Sequence, residues 1–307
     1  MPKPLIPLEH RAIGRAAGRA AGATSILGLG TRRLAEAGQQ ATIKVVREAI
    51  DGGVTLLEIA PEYGDGRAER WIGLALRDGY RERVQLLWQC CAHRRDYKTA
   101  MLQFEATLGH LKTDQVEFWS FHEVIYDNDP EWMYDHGGLD AAQEARDQKR
   151  VRWIGFHAEK SPHIALKLLA RGFAWDFACM PLNPFDATFR SFEKQLLPEM
   201  IRRGAAVIGT KPLAGGAIPA GRLITPEEAL RYAWSLPVSS VLVGCDSTAL
   251  LKRTLKSAAS FTAFRAGEMD ALRQKAKPTA GDGRFERYKT TQEFDGAPGL
   301  TAHGFRR

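Results

Sequence analysis

The stretch VRWIGFHAEKSPHIALKLLARGFAWDFACM, residues 151–180, holds the architecture in miniature. It opens on an apolar run, Val151–Phe156, too short for a helix and suited to a buried strand. Pro162–Gly172 follows, with apolar residues at three- and four-residue spacings and Lys and Arg between them, the pattern of an amphipathic helix. Gly172 stands where a helix C-terminal cap belongs. A second run, Phe177–Met180, then returns as a strand. Strand, helix and strand within so short a span imply a crossover between parallel strands.

The unit recurs outward in both directions. Apolar runs at Ser25–Leu29, Val54–Ile59, Val84–Cys90, Val116–Phe121, Ala205–Gly209 and Ser239–Gly244 bring the strands to eight. Amphipathic stretches lie between them, among them Ala41–Asp51, Tyr97–Leu111 and Gly138–Lys149. Thr225-Pro-Glu-Glu reads as an N-cap with proline at the first helical position and acids against the helix dipole. Gly204 reads as another C-cap. Eight strands alternating with eight helices predict an α/β fold, the closed (β/α)8 TIM barrel, over residues 25–260. Residues 1–24 are expected to form an entry segment, in which the basic, Gly/Ala-rich Arg11–Ala23 reads as flexible. Residues 261–307 are expected to form a C-terminal helix and tail that cover the barrel mouth.

Composition narrows the function. With 307 residues, 44% hydrophobic and 26% charged, the chain is an ordinary globular one, which excludes disordered and fibrous classes. No run approaches the roughly 18 apolar residues of a membrane span. Met1–Arg19 lacks the continuous apolar core of a secretory leader. Four cysteines, two of them the adjacent Cys90 and Cys91, make no disulfide framework, so a cytoplasmic location is expected. The net charge of +7 is spread along the chain without interleaved aromatics. That disfavours nucleic acid as a partner and leaves a phosphorylated small molecule open.

In this fold, active sites sit at the C-terminal ends of the strands. The residues there are Glu58, Gln89 with Cys90 and Cys91, His122, His157 with Glu159, Cys179 and Lys211. An imidazole ending an apolar strand needs a hydrogen bond or a polar cavity, so His122 is either a satisfied structural histidine or an acid–base or ligand group. Just past strand two, the Tyr63 phenol can protonate a developing alkoxide if a neighbour lowers its pKa from about 10; otherwise it packs in a turn. Cys90, Cys91 and His93 invite a metal reading, yet adjacent strand residues point to opposite faces, which makes core thiols the simpler expectation. Glu58, His122 and His157, from three strand ends, form an alternative divalent-metal set. Gly209-Thr-Lys-Pro-Leu-Ala-Gly-Gly216 and Gly244-Cys-Asp-Ser247, with Lys252 and Arg253 one turn on, are two niches in which backbone amides can meet an anion. Tyr126, Trp132 and Tyr134 either line an apolar pocket or pack over a helix start.

Several of these stretches resemble the aldo/keto reductases. They are Gly28-Leu-Gly-Thr31, Gly53-Val-Thr-Leu-Leu-Glu-Ile-Ala-Pro-Glu-Tyr-Gly64, Thr113-Asp-Gln-Val-Glu-Phe-Trp-Ser-Phe-His122, Met180-Pro-Leu-Asn183 and the Gly209–Gly216 turn. Gly283-Arg-Phe-Glu-Arg-Tyr-Lys-Thr-Thr291 and Phe294-Asp-Gly296 are similar to the tail of a bacterial subgroup. The resemblance spans roughly residues 25–296. It implies a (β/α)8 barrel that binds NADP(H) and reduces aldehydes or ketones with an Asp, Tyr, Lys and His. Tyr63 and His122 fall on the Tyr and His positions, while Glu58 stands at the Asp position and Gln89 at the Lys position. A neutral amide cannot supply the charge that lowers the phenol pKa. At the cofactor, the resemblance assigns His157 and Cys179 to the nicotinamide pocket, although the family has a polar pair and a Gln there. It assigns Lys211, Leu213, Gly215, Gly244, Ser247 and Arg253 to the phosphate and adenosine end, where a familiar Arg position holds Leu250 and an Asn position Thr254.

Three functions stay open on this reading. One is an NADP(H)-linked oxidoreductase acting on a small carbonyl or alcohol. Another is a non-redox enzyme on the same barrel that uses Glu58, Tyr63, His122 and His157 for acid–base or metal-assisted elimination, isomerisation or cyclisation. The last is a binding module without catalysis, since a fold alone does not fix function.

Overall fold

Alternation of side chains along eight short strands decides what fills the barrel and what faces its mouth. A computed structural model of the chain describes residues 7–13 and 22–305. Two strands, β1 (His10–Ile13) and β2 (Gly22–Ser25), pair antiparallel. Eight more follow: β3 (Leu27–Gly30), β4 (Leu56–Ile59), β5 (Gln85–Cys90), β6 (Phe118–Phe121), β7 (Trp153–His157), β8 (Phe177–Pro181), β9 (Ala206–Thr210) and β10 (Ser240–Gly244). All eight run parallel, each beside the next, and β10 closes on β3. The eight predicted runs are thus the eight barrel strands, with Ser25 belonging instead to the strand before them.

Side chains two apart along a strand share a face. Leu56, Leu87, Phe118, Trp153 and Phe177 point inward and pack with Ala206, Ile208 and Leu242 into an interior layer. Their neighbours Leu57, Trp88, Trp119, Ile154 and Ala178 point outward into the cluster beneath the helices. One step further along each strand, the inward positions are Glu58, Gln89, Ser120 and Cys179, and beyond them His122 and His157. Apolar residues therefore fill the lumen and polar ones stand above them at the mouth.

The entry segment differs from expectation. The two ends of the stretch read as flexible, Arg11–Ile13 and Gly22–Ala23, are paired strands, and residues 14–21 lie outside the described residues. Ile13 joins the interior layer, so this hairpin closes the barrel floor. The hairpin lies hard against Trp153: a Cβ on Gly22 would stand 2.7 Å from the indole ring, so a larger residue there would have to displace the ring.

The helical ring is less regular than a strict eight. Leu34–Ala37 precedes Gln39–Asp51, Asp129–Asp135 precedes Gly138–Asp147, and Ala217–Gly221 precedes Pro226–Ser235. The predicted caps are present. Thr225 and Glu228 form a reciprocal capping box, and Gly172 (φ +90°) and Gly204 (φ +65°) take left-handed conformations after their helices.

After the helix Thr248–Ala259 come Ala266–Ala280 and two short turns of helix, Arg287–Thr290 and Ala297–Ala302. This tail is tied down by buried charge. Lys289 Nζ lies 2.6 Å from Asp186 Oδ1 and 2.9 Å from Glu286 Oε2, and none of these side chains is exposed. Further along, Lys160 Nζ and Tyr126 Oη each donate to Asp295 at 2.8 Å, and the Gly296 amide donates to Glu123 at 3.0 Å. Tyr126 and Trp132 lie against His303, and Tyr134 lies under Arg171, so each of these aromatics packs on a neighbouring side chain.

Glu286 shares its site with a second carboxyl. Burial, helped by the Asp186 charge, pushes it up to about 7 in spite of Lys289. A carboxyl raised in the folded state contributes stability that is whole below its unfolded value, about 4.3, and is lost as pH rises through the folded value. The unfolding temperature is therefore expected to fall between about pH 5 and pH 8, and to fall less in Glu286→Gln. Thermal melts of both chains across that window check it; equal slopes would contradict it.

Candidate active site

At the mouth, Glu58 organises a small buried group. Its Oε1 accepts from Tyr63 Oη at 3.1 Å and from Gln89 Nε2 at 3.0 Å. Its backbone carbonyl accepts from Thr31 Oγ1 at 2.6 Å, which ties the end of β4 to the end of β3. Tyr63 reaches this point because the loop after β4 turns back over the lumen, with the Tyr63 amide bonded to the Ala60 carbonyl. The phenol pKa is pushed well above its ordinary value, first by burial and then by the Glu58 charge, while Arg32 pulls the other way. A lysine at position 89 would place its ammonium beside the same carboxylate oxygen; Gln89 brings a hydrogen bond and no charge.

His122 stands beside this group, its ring centroid 6.4 Å from that of Tyr63 and nearly perpendicular to it. It stacks on His157 at 5.4 Å. Burial, then the neighbouring His157 and His93, hold the His122 pKa well below its usual range, so it is neutral near pH 7. A neutral imidazole can orient a polarised oxygen through an N–H but is a poor proton source. His157 is also lowered by burial, with Glu159 opposing, and neither of its ring nitrogens makes a hydrogen bond among the described residues. Lys211 Nζ sits 3.0 Å from Glu159 Oε2. Burial would raise Glu159, but Lys211 and His157 outweigh it and keep the carboxylate ionised. Cys179 pairs in register with His157, and its thiol is pushed up by burial and then by Glu58.

The two anion niches lie side by side at the ends of β9 and β10. Lys211, Ala214, Gly215 and Gly216 all adopt positive φ, so the turn through Leu213 folds sharply. A Cβ on Gly216 would meet nothing within 4 Å, and one on Gly215 would just touch Tyr288 and Phe294 of the tail. Gly244 is exposed at the end of β10, and Ser247 Oγ caps the next helix by accepting from the Leu250 amide at 3.3 Å. Arg253 pairs with Glu227 at 3.1 Å in an exposed contact, which costs little to exchange for another anion.

The metal expectations need correcting. Glu58, His122 and His157 do not bring their ligand atoms together, because Glu58 turns to Tyr63 and Gln89 while His157 turns towards Glu159. Among the described residues, the ligand-type atoms that converge belong to Glu62, Cys91, His93 and His122. Cys91 is buried in the hydrophobic core cluster, as expected of a core thiol, and it also lies one residue past the end of β5 with its Sγ 3.5 Å from His122 Nδ1. Arg32, Glu62 and His93 are rim residues on loops, where no strand alternation reports direction; Arg32 acts on Tyr63, His122 and Glu159 alike.

A closed parallel barrel whose C-terminal rim gathers a carboxylate, a phenol and imidazoles from successive strands belongs to the α/β-barrel class with its site in the strand-end loops. The model of the aldo/keto reductase family matches residues 26–227, well over half of the chain, and the chain belongs to that family. Among curated relatives, it is 34% identical over 98 residues to the methylglyoxal reductase YeaE of Escherichia coli, covering 31% of this chain and 34% of that protein. It is 29% identical over 96 residues to the aldo-keto reductase YhdN of Bacillus subtilis, covering 27% and 28%. The chain thus spans about a third or less of the length of these relatives. Among solved structures, aldo-keto reductase AKR11C1 of Bacillus halodurans superposes with a TM-score of 0.74 over 91% of this chain and 99% of its own, at 18% identity. The glycerol dehydrogenase AKR11B4 of Gluconobacter oxydans gives 0.70 over 88% and 96%, at 17% identity. At these identities the superpositions establish the barrel. Among the described residues, no helix is long and apolar enough to cross a membrane.

Proposed function

We propose that the chain is an oxidoreductase that uses NADP(H) to reduce a small aldehyde or ketone, or to oxidise the corresponding alcohol. One observation carries this reading: in a member of the aldo/keto reductase family, the Tyr63 phenol lies at the barrel mouth against Glu58, with neutral His122 beside it. The buried polar atoms without partners support a cofactor there. His157 Nδ1, Gln89 Oε1 and Thr210 Oγ1 make no hydrogen bond among the described residues, and such groups are normally satisfied. They fit the carboxamide and ribose of a nicotinamide nucleotide, with His157 and Cys179 at the ring end. Lys211, Leu213, Gly215, Gly244, Ser247 and Arg253 would hold its phosphates and adenosine through turn amides, a helix N-terminus and side-chain cations.

When bound, the nucleotide supplies or accepts the hydride. The chain's own task is the proton. His122 orients the carbonyl oxygen, and Tyr63 delivers its phenolic proton to that oxygen as negative charge develops there. The phenolate left behind is disfavoured by burial and by Glu58, while Arg32 opposes them. Turnover is therefore expected to be slower than for a site with a cation at position 89.

Titration of the purified chain with NADPH, followed by its oxidation in the presence of short-chain aldehydes, tests the reading. A saturable change in nucleotide fluorescence and aldehyde-dependent loss of NADPH are expected. Absence of any saturable change would remove the proposal.

A further inference from the structure

Beside the Glu58–Tyr63–Gln89 group, a second cluster forms from three successive strand-end loops. Glu62 follows β4, Cys91 and His93 follow β5, and His122 follows β6. One ligand atom from each lies within 4.8 Å of all the others. Cys91, His93 and His122 are buried, while the Glu62 side chain keeps 21% of its surface exposed.

We propose that Glu62, Cys91, His93 and His122 bind a single divalent cation of the zinc type at the barrel mouth. The donor set is one thiol, two imidazoles and one carboxylate, a soft-to-borderline mixture that selects zinc-like ions over magnesium or calcium. Bonds of about 2.0–2.3 Å place tetrahedral ligands about 3.4–3.7 Å apart. Cys91 Sγ and His122 Nδ1 already stand 3.5 Å apart. His93 Nε2 and Glu62 Oε1 stand closer, at 2.6 Å, in hydrogen-bond contact. An ion entering between them takes both lone pairs, and the two atoms separate by under about 1 Å to reach ligand spacing.

Two further features suit an ion. His93 Nδ1 lies 4.0 Å from Glu123 Oε2, a carboxyl on the side where metal-bound imidazoles commonly have an outer-shell partner. A cavity of about 520 Å³ opens beside Cys91 and His93, bordered by Asp96, Gln103 and Thr301, and offers a path from solvent. Binding converts the Cys91 thiol to thiolate and releases its proton to water; no redox step is involved.

The experiment is a titration of the full chain, stripped with chelator, with Co²⁺. One equivalent is expected to give a thiolate-to-cobalt charge-transfer band in the near ultraviolet and the intense visible bands of four-coordinate cobalt, all displaced by Zn²⁺. Cys90→Ser, one residue away, is expected to keep the spectrum. Cys91→Ser is expected to lose the ultraviolet band and at least about 100-fold in affinity. Glu62→Gln, at a partly exposed position, keeps the sulfur band and binds at least about tenfold more weakly, which supplies a second readout if Cys91→Ser fails to fold. A wild-type chain without the ultraviolet band, or a band that survives in folded Cys91→Ser, overturns the assignment. Neither result depends on NADPH or on turnover, so the site and the reductase reading fail separately.

Discussion

Tyr63→Phe is expected to lower carbonyl reduction by about 10²–10⁴-fold while leaving NADPH binding nearly unchanged, because it deletes the proton donor and little else. Glu58 keeps its bond from Gln89, so the loss of one neutral donor costs about 1 kcal/mol of stability. The informative partner is Gln89→Lys. Its ammonium would enter beside Glu58 Oε1, where the amide nitrogen now lies at 3.0 Å, and would favour the phenolate. Each pKa unit taken from Tyr63 corresponds to about tenfold in the equilibrium for releasing its proton. Gln89→Lys is therefore expected to raise kcat about tenfold with Tyr63 present, and to have no effect in the Tyr63→Phe chain. Steady-state rates of the four chains, with NADPH at saturation, check this. Full activity in Tyr63→Phe, or an equal gain in both backgrounds, would sink the assignment of Tyr63 as donor.

The second large effect concerns stability. Lys289→Met leaves Asp186 and Glu286 side by side in the interior without their cation. Removing one partner of a buried charged group costs about 3–5 kcal/mol, mostly as the penalty on the charge left behind. The triple change Lys289→Met, Asp186→Asn and Glu286→Gln removes every charge and is expected to recover most of that loss. Urea unfolding of the wild type, the single and the triple variants measures both. A single variant within about 1 kcal/mol of wild type would show that the group is hydrated and contributes little.

What was legible in the sequence follows from periodicity. The eight strands could be read because each is a short apolar run bounded by turns. Glu58, Gln89, His122, His157 and Cys179 could be placed because positions two apart share a face and the barrel has one functional end. Loops carry no such period. Glu62 is an ordinary acid in a turn until the fold brings the β5 loop over it, and Arg32 is one basic residue among many. Cys91 is the instructive case. The rule that adjacent strand residues face opposite ways holds inside β5, but Cys91 lies just beyond it, where the chain has begun to turn towards His122. The hairpin partners of Arg11–Ala23 were hidden for a different reason: a basic, Gly/Ala-rich composition says nothing about what the backbone pairs with.

The closed floor has a consequence for traffic. With Ile13 and Trp153 stoppering one end, everything that meets Tyr63 must come and go by the same doorway. Whatever reaches Tyr63 finds the floor closed behind it and leaves on the side by which it entered.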